Sequence, residues 1–355
     1  MTLKDQIVRR IRQDGPISIA SYMRDCLLHP TLGYYTSRAP FGAQGDFITA
    51  PEISQIFGEV IGLALAQAWI SQGRPTPFTL AELGPGRGTL MADILRATRL
   101  VPGFHDAARL VLVEASPALR KVQAEILSPH APTWSEQVED LPERALFIVA
   151  NEFFDALPVR QFLRAGTGWR ERRVGEKGGD LVFGLGPAGP QPTLTHRLDD
   201  TAEGDLVETC PLAAEVTTIL AERIAAHGGV ALILDYGDWR SLGDTLQAVA
   251  AHETVDALDK PGQADLTAHV DFEVLANAAR RAGCAHTRLT PQGVFLERLG
   301  ITARAQALSK GLTGEALDQL VAAHRRLTHP DEMGNLFKTL GIFPAEGTPP
   351  PGLDP

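Results

Sequence analysis

The sequence predicts an α/β chain: a mostly parallel sheet with helices on both faces. Short apolar runs, FTLAEL (78–83), ARLVLVEAS (108–116), LFIVANEFF (146–154) and GGVALILDYG (228–237), alternate with stretches of helical spacing. Strands separated by helices of that size join by crossovers, which build a parallel sheet covered on both sides. A glycine-rich turn, ELGPGRGTL (82–90), links the first run to a helix from about Thr89 to Thr98, so chain reversal and ligand approach coincide there.

The elements follow in order. Residues 1–30 read as helical, with Pro16 and ISIASYM opening a second helix. The segment 29–54 is rich in Gly, Pro and aromatics and reads as a long functional loop, a lid. Apolar residues at 53, 56, 57, 60, 61, 64, 65 and 68 mark a helix that Gly73 and Pro75 stop. Pro117 suits the first turn of the next helix, and Gly228-Gly229 ends the helix that begins near Leu212. Between them, WRERRVGEKGGDLVFGLGP (169–187) has the Gly turns and alternation of an inserted β-hairpin. Residues 237–270 read as irregular, VDFEVLANAARRAG (270–283) as a helix, and HTRLTPQGVFLERLG (286–300) as late strands. Residues 301–340 read as helical, followed by a Pro-rich tail. The expected organisation is an N-terminal helical and lid segment (1–75), a core (76–300) with an insertion at about 160–208, and C-terminal helices and tail (301–355).

Of the 355 residues, 44% are hydrophobic and 21% charged, and no apolar run reaches the roughly 18 residues of a membrane span. The net charge of −10 argues against a nucleic-acid partner and suits a basic protein substrate. Cys26, Cys210 and Cys284 are too few and too scattered for a disulfide framework or a metal knuckle. The N-terminus lacks the apolar segment of a secretion signal and carries acidic residues unlike a transit peptide, so a cytoplasmic location is expected.

Gly84, Gly86 and Gly88 alternate, whereas a pyrophosphate-binding turn spaces its glycines G-x-G-x-x-G and a P-loop ends in Gly-Lys-Ser/Thr. The E-x-G-x-G-x-G pattern resembles motif I of class I methyltransferases. Glu82 is then expected near the methionyl ammonium of S-adenosylmethionine, with Gly84, Pro85, Gly86, Gly88 and Thr89 around the donor. Glu114 ends the next strand, where a carboxylate can accept from both ribose hydroxyls.

Asn151-Glu152-Phe153-Phe154-Asp155 follows the third strand at the carboxyl edge, where open α/β sheets bind ligands. Carboxylates can hold a guanidinium in a bidentate fork, so Glu152 and Asp155 are candidates to grip an arginine and Asn151 to orient its nitrogen. The competing reading makes Glu152 a helix cap. Asp46 and Thr49 are expected at the donor from the lid, with Glu52 beside them unless it only opens the following helix. Asp235-Tyr236-Gly237 ends another strand at the ligand edge, whereas Asp265, His269 and Asp271 are assigned turn and capping roles rather than a metal site.

The runs GDFITAPEISQIFGE (45–59), ELGPGRGTL (82–90), NEFFDALPV (151–159) and ADLTAHVDF (264–272) are similar to those of the MidA family, and the resemblance spans nearly the whole chain. It implies a class I methyltransferase (Rossmann-like) fold and S-adenosylmethionine as donor. It further implies symmetric dimethylation of arginine on a respiratory complex I subunit, in support of complex I assembly. The NEFFD run lacks the prolines of the N-P-P-Y signature and does not reproduce the separated glutamate pair of better-known arginine methyltransferases. A non-catalytic assembly chaperone that binds the donor, and a small-molecule methyltransferase, stand as alternatives. A homodimer, formed through apolar positions exposed on the insertion, is also among the expectations.

Overall fold

The computed structural model describes residues 1–37 and 49–355. The chain opens with α1 (Leu3–Asp14) and α2 (Ile19–Leu28). Thr2 and Asp5 close a reciprocal capping box on α1, and the Ser18 side chain caps α2. After the short turn Ala50–Ile53, Ser54 breaks the helix in an extended conformation and caps α3 (Gln55–Ser71). Then come β1 (Phe78–Leu83), α4 (Thr89–Thr98), β2 (Ala108–Val113), α5 (Pro117–Ile126), β3 (Thr133–Ser135) and β4 (Leu146–Asn151). The insertion supplies β5 (Arg160–Ala165), β6 (Gly168–Lys177), β7 (Asp180–Gly189) and β8 (Leu206–Thr209). Next are α6 (Pro211–His227), β9 (Gly229–Asp238), β10 (Gln247–Ala250), β11 (Asp265–Thr267) and α7 (Phe272–Arg281). The last elements are β12 (Cys284–His286), α8 (Gln292–Arg298), α9 (Ile301–Ser309), α10 (Glu315–Thr328) and β13 (Phe337–Pro344).

The central sheet runs β12-β13-β9-β4-β1-β2-β3. From β9 to β3 every pairing is parallel, while β13 enters antiparallel between β9 and β12. β1 and β4 are buried along their whole length, as a parallel sheet covered on both faces requires. Ile56, Phe57, Ile61, Leu65, Met91 and Ile94 pack on one face, and Val216, Leu220, Ile224, Leu275 and Ala279 on the other. A third core joins α1 and α2 to the insertion through Ile7, Ile11, Met23, Val174 and Leu181. The insertion is an antiparallel sheet in which β6 pairs with β5, β7 and the bridge Ile17–Ser18.

Three expectations are corrected. Residues 301–340 are not helical throughout: Pro330 follows α10, and the chain returns as β13 beneath the tail. Gly341 is required there, because a Cβ would lie 2.7 Å from Pro350 and 3.0 Å from Leu353. The late-strand reading of 286–300 fails beyond Pro291, where the chain turns into α8. Residues 237–270 are not simply irregular, since β10, Glu253–Thr254 and β11 form a small sheet.

Candidate functional site

From β1 the chain goes to β2 and β3 on one side, then returns to β4 on the other. The carboxyl ends of β1 and β4 therefore flank the switch point, where helices diverge and leave a crevice. A cavity of about 570 Å³ lies there. That is ample for a nucleoside-sized ligand.

Gly84, Gly86 and Gly88 all have left-handed φ, at 56°, 53° and 88°. A Cβ on Gly84 would also sit 3.0 Å from the Phe153 ring. Gly88 is the N-cap of α4, and its N–H donates to the Pro85 carbonyl at 2.7 Å. Gln123 on α5, fully buried, ties the turn to the second acid. Its amide donates to the Gly86 carbonyl at 2.7 Å and to Glu114 Oε2 at 3.1 Å, while its oxygen accepts from the Trp134 indole at 2.8 Å. The Ser116 N–H donates to Glu114 Oε1 at 2.8 Å, and burial raises the Glu114 pKa. Burial pushes Glu82 up to about 8, helped by the charge of Glu114 and opposed by the Met91 N–H. Its Oε2 is buried with no hydrogen-bond partner.

At the end of β4, Glu152 takes φ +51°, a conformation that side chains rarely adopt. Its Oε1 accepts from the Ala50 N–H at 3.0 Å and from Asn151 Nδ2 at 3.1 Å. Burial pushes its pKa up to about 7, against those donors and the charge of Arg326. Asp235, fully buried at the end of β9, holds the following turn. Its Oδ2 accepts from the N–H groups of Phe153 (3.1 Å), Phe154 (2.9 Å) and Asp155 (3.3 Å), and its Oδ1 from Tyr236 (2.9 Å). Burial, then the charges of Asp235, Glu152 and Asp265, push Asp155 well above the carboxylate range. Of the Asp155–Asp235 pair we place the proton on Asp155, since Asp235 already takes four N–H donors that favour its charge. Asp155 Oδ1 and Asn151 Oδ1 are buried without hydrogen-bond partners.

Thr49 lines the cavity and the Ala50 N–H reaches Glu152, so this end of the lid meets β4. Thr89 donates to Glu52 Oε1 at 2.6 Å rather than pointing free. Asp46 lies outside the described residues. Glu82, Gly84, Pro85, Gly86, Thr89, Glu114, Asn151, Glu152 and Asp155 all line the same cavity, whereas Gly88 does not. Sequence reasoning missed Gln123 and Tyr35, and it misplaced Asp265. The turn role expected for Asp265 is corrected: it lines the cavity, and Tyr35 Oη donates to its Oδ1 at 2.8 Å. Asp271 caps α7 through the Val274 N–H, and His269 packs its ring on Tyr236. Among the described residues no His, Cys, Asp and Glu side chains group as a metal site, and no helix is long and apolar enough to cross a membrane.

Comparison with known proteins shows which family the chain belongs to. A family model described as "Putative S-adenosyl-L-methionine-dependent methyltransferase" matches residues 60–290. The chain belongs to this family. It is thus an S-adenosylmethionine-dependent methyltransferase with a class I fold. Among its relatives, the Xenopus laevis protein arginine methyltransferase NDUFAF7, mitochondrial, is 37% identical, over 96% of this chain and 84% of the relative. Its Homo sapiens counterpart is 37% identical over 95% and 82%. A Burkholderia thailandensis structure bound to S-adenosyl-homocysteine has 30% identity and a TM-score of 0.83, covering 99% of this chain and 92% of that one. The expected cytoplasmic location is overturned, because these relatives are named as mitochondrial proteins. The cavity's geometry is compatible with such a donor: left-handed glycines leave backbone open to a ligand, and Glu82 Oε2 is a buried acceptor without a partner, suited to a donor such as an ammonium.

Proposed function

We propose that this methyltransferase modifies arginine in a protein, with the donor held by the Gly84–Gly88 turn, Glu82 and Glu114 and the acceptor held at Glu152, Asp155 and Asn151. One observation carries the acceptor half. Glu152, Asp155, Asp235 and Asp265 crowd one end of the cavity, and Asp155 Oδ1 and Asn151 Oδ1 there lack partners. A guanidinium brings both the positive charge and the in-plane N–H donors that such a cluster lacks. The arginine methyltransferase names of the relatives support the same reading.

S-adenosylmethionine, when bound, supplies a methyl group on an electrophilic sulfonium. The chain's residues supply alignment and proton handling. Asp155 and Asn151 orient the guanidinium. Glu152 Oε1 is engaged by Ala50 and Asn151, which leaves Oε2 to take the proton that the methylated nitrogen gives up. Thr49 and Ala50 shield that end of the cavity from water. Tyr35 steadies Asp265 behind the acceptor.

A complex I subunit as the acceptor, and symmetric dimethylation as the product, are the finer parts of the proposal and rest on the MidA resemblance. Exposed Val182 and Leu185 on β7 support an association surface on the insertion, for that subunit or for a second copy. The test is mass spectrometry of arginine methylation on complex I subunits in cells with and without the gene. Loss of one dimethylarginine in the knockout, restored by wild type but not by Glu152→Gln, is expected. Identical methylation in both backgrounds refutes the proposal and favours a donor-binding chaperone.

A further inference from the structure

Beside the donor cavity lies a second, of about 640 Å³, whose walls include Ser18, Arg160, Glu171 and Arg173. The two cavities share Arg24, Pro158, Leu212 and Glu215, so the second begins where the first ends. Inside it Glu171, 6% exposed, is held between two guanidiniums: Arg160 Nε donates to Oε1 at 2.8 Å and Arg173 Nε to Oε2 at 2.9 Å. One carboxylate shared by two arginines leaves a positive charge over. Arg24, on the shared rim, adds another and has no hydrogen-bond or ion-pair partner among the described residues. Exposed Glu215 offsets one of these, so three arginines face two carboxylates. In a chain of net charge −10, a cationic cleft adjoining an acidic cavity separates charge along a single path. An extended segment that places a guanidinium in the acidic end lays its neighbouring residues in the basic one.

We propose that the second cavity is the track for the acceptor polypeptide, and that it selects segments bearing an acidic side chain near the target arginine. This rests on the arginine acceptor proposed above and adds a rule of selectivity to it. Arg24, Arg160 and Arg173 are the residues that read the acidic side chain, acting on KM rather than on kcat.

The experiment is steady-state methylation of matched peptides by the full chain, each with one target arginine and Glu, Gln or Lys placed at successive offsets. At one offset the Glu peptide is expected to show a KM about fivefold below that of the Gln peptide, with the Lys peptide above both. The preference shrinks as salt rises toward about 0.5 M. Arg173→Gln, which lies only in the second cavity, removes most of it while S-adenosylhomocysteine affinity by calorimetry holds at the wild-type value. Arg24→Glu, an exposed residue with no partner to lose, shifts preference toward the Lys peptide and keeps the test alive if Arg173→Gln fails to fold. Equal KM for all three peptides at every offset overturns the track and leaves the arginine acceptor standing. If no peptide arginine is methylated while S-adenosylhomocysteine still binds, the acceptor reading falls, and the track with it.

Discussion

Replacing Glu152 with Gln should make the protein more stable at alkaline pH while crippling methyl transfer. The side chains have the same shape, and the Gln oxygen can keep both bonds, from Ala50 and Asn151, with its amide turned to the cavity. What changes is the charge. Burial lifts the Glu152 pKa from an ordinary 4.5 to about 7, so folding takes up a proton between those values. A carboxyl raised in this way contributes its stability below pH 4.5 and loses it as pH climbs through 7. At 1.36 kcal/mol per pH unit, the loss between pH 5 and pH 8 is roughly 2–3 kcal/mol. Asp155 and Asp235 titrate in both proteins but feel the Glu152 charge, so its removal eases them as well and widens the difference at pH 8 in the same direction. Urea unfolding at pH 5 and pH 8 measures it, and for a chain of this size the same quantity appears as a Tm gain of about 4 °C at pH 8. Turnover should fall about a hundredfold, the ordinary cost of losing a positioned base. A stability difference of the same size at both pH values refutes the reasoning, because the charge would then not be the source.

Two further outcomes follow from the donor half of the site. Because Glu82 is held up to about 8 by burial and Glu114, an ammonium arriving beside it should displace its proton. Calorimetry of S-adenosylhomocysteine binding at pH 7 in buffers of different ionisation enthalpy should then report release of about one proton, and an enthalpy independent of buffer contradicts this. Gln123→Ala strands the Gly86 carbonyl, Glu114 Oε2 and the Trp134 N–H at once, so a loss of about 2–4 kcal/mol in stability is expected, with donor affinity weakened as well. Unchanged donor affinity in that variant would show that the turn holds its shape without the brace.

The proposed donor half was legible because its parts are neighbours in sequence. A buried strand, three glycines and an acid on the next strand follow from local spacing, and Glu82 and Glu114 line the cavity as that spacing implies. Of the proposed acceptor half, only NEFFD stood out along the chain. Tyr35 meets Asp265 across a separation of 230 residues, and no pattern along the chain announces such a contact. Asp265 looked like a turn residue because its own segment is short and polar. Gln123 was invisible for another reason: on the amphipathic helix α5 it reads as one more polar position, and only the helix's placement against the turn buries it. β13 was lost because PDEMG and the helices before it continue a polar pattern, while Gly341 and Pro344 dilute the signal of the strand. The left-handed Glu152 could not have been foreseen either, since helix-cap and strand-end readings both assume ordinary backbone.

The late entry of β13 has a consequence for how the protein is made. β9 carries Asp235, which fixes the turn bearing Asp155, and one edge of β9 is closed by residues 337–342 from the far end of the chain. Until the ribosome has released that segment, a mostly apolar strand edge stays open to pairing with any other chain. The site's scaffold is therefore the last part of the sheet to be sealed, and a nascent chain halted before Phe337 should depend on chaperones and be prone to aggregation despite holding every described residue that lines the cavity.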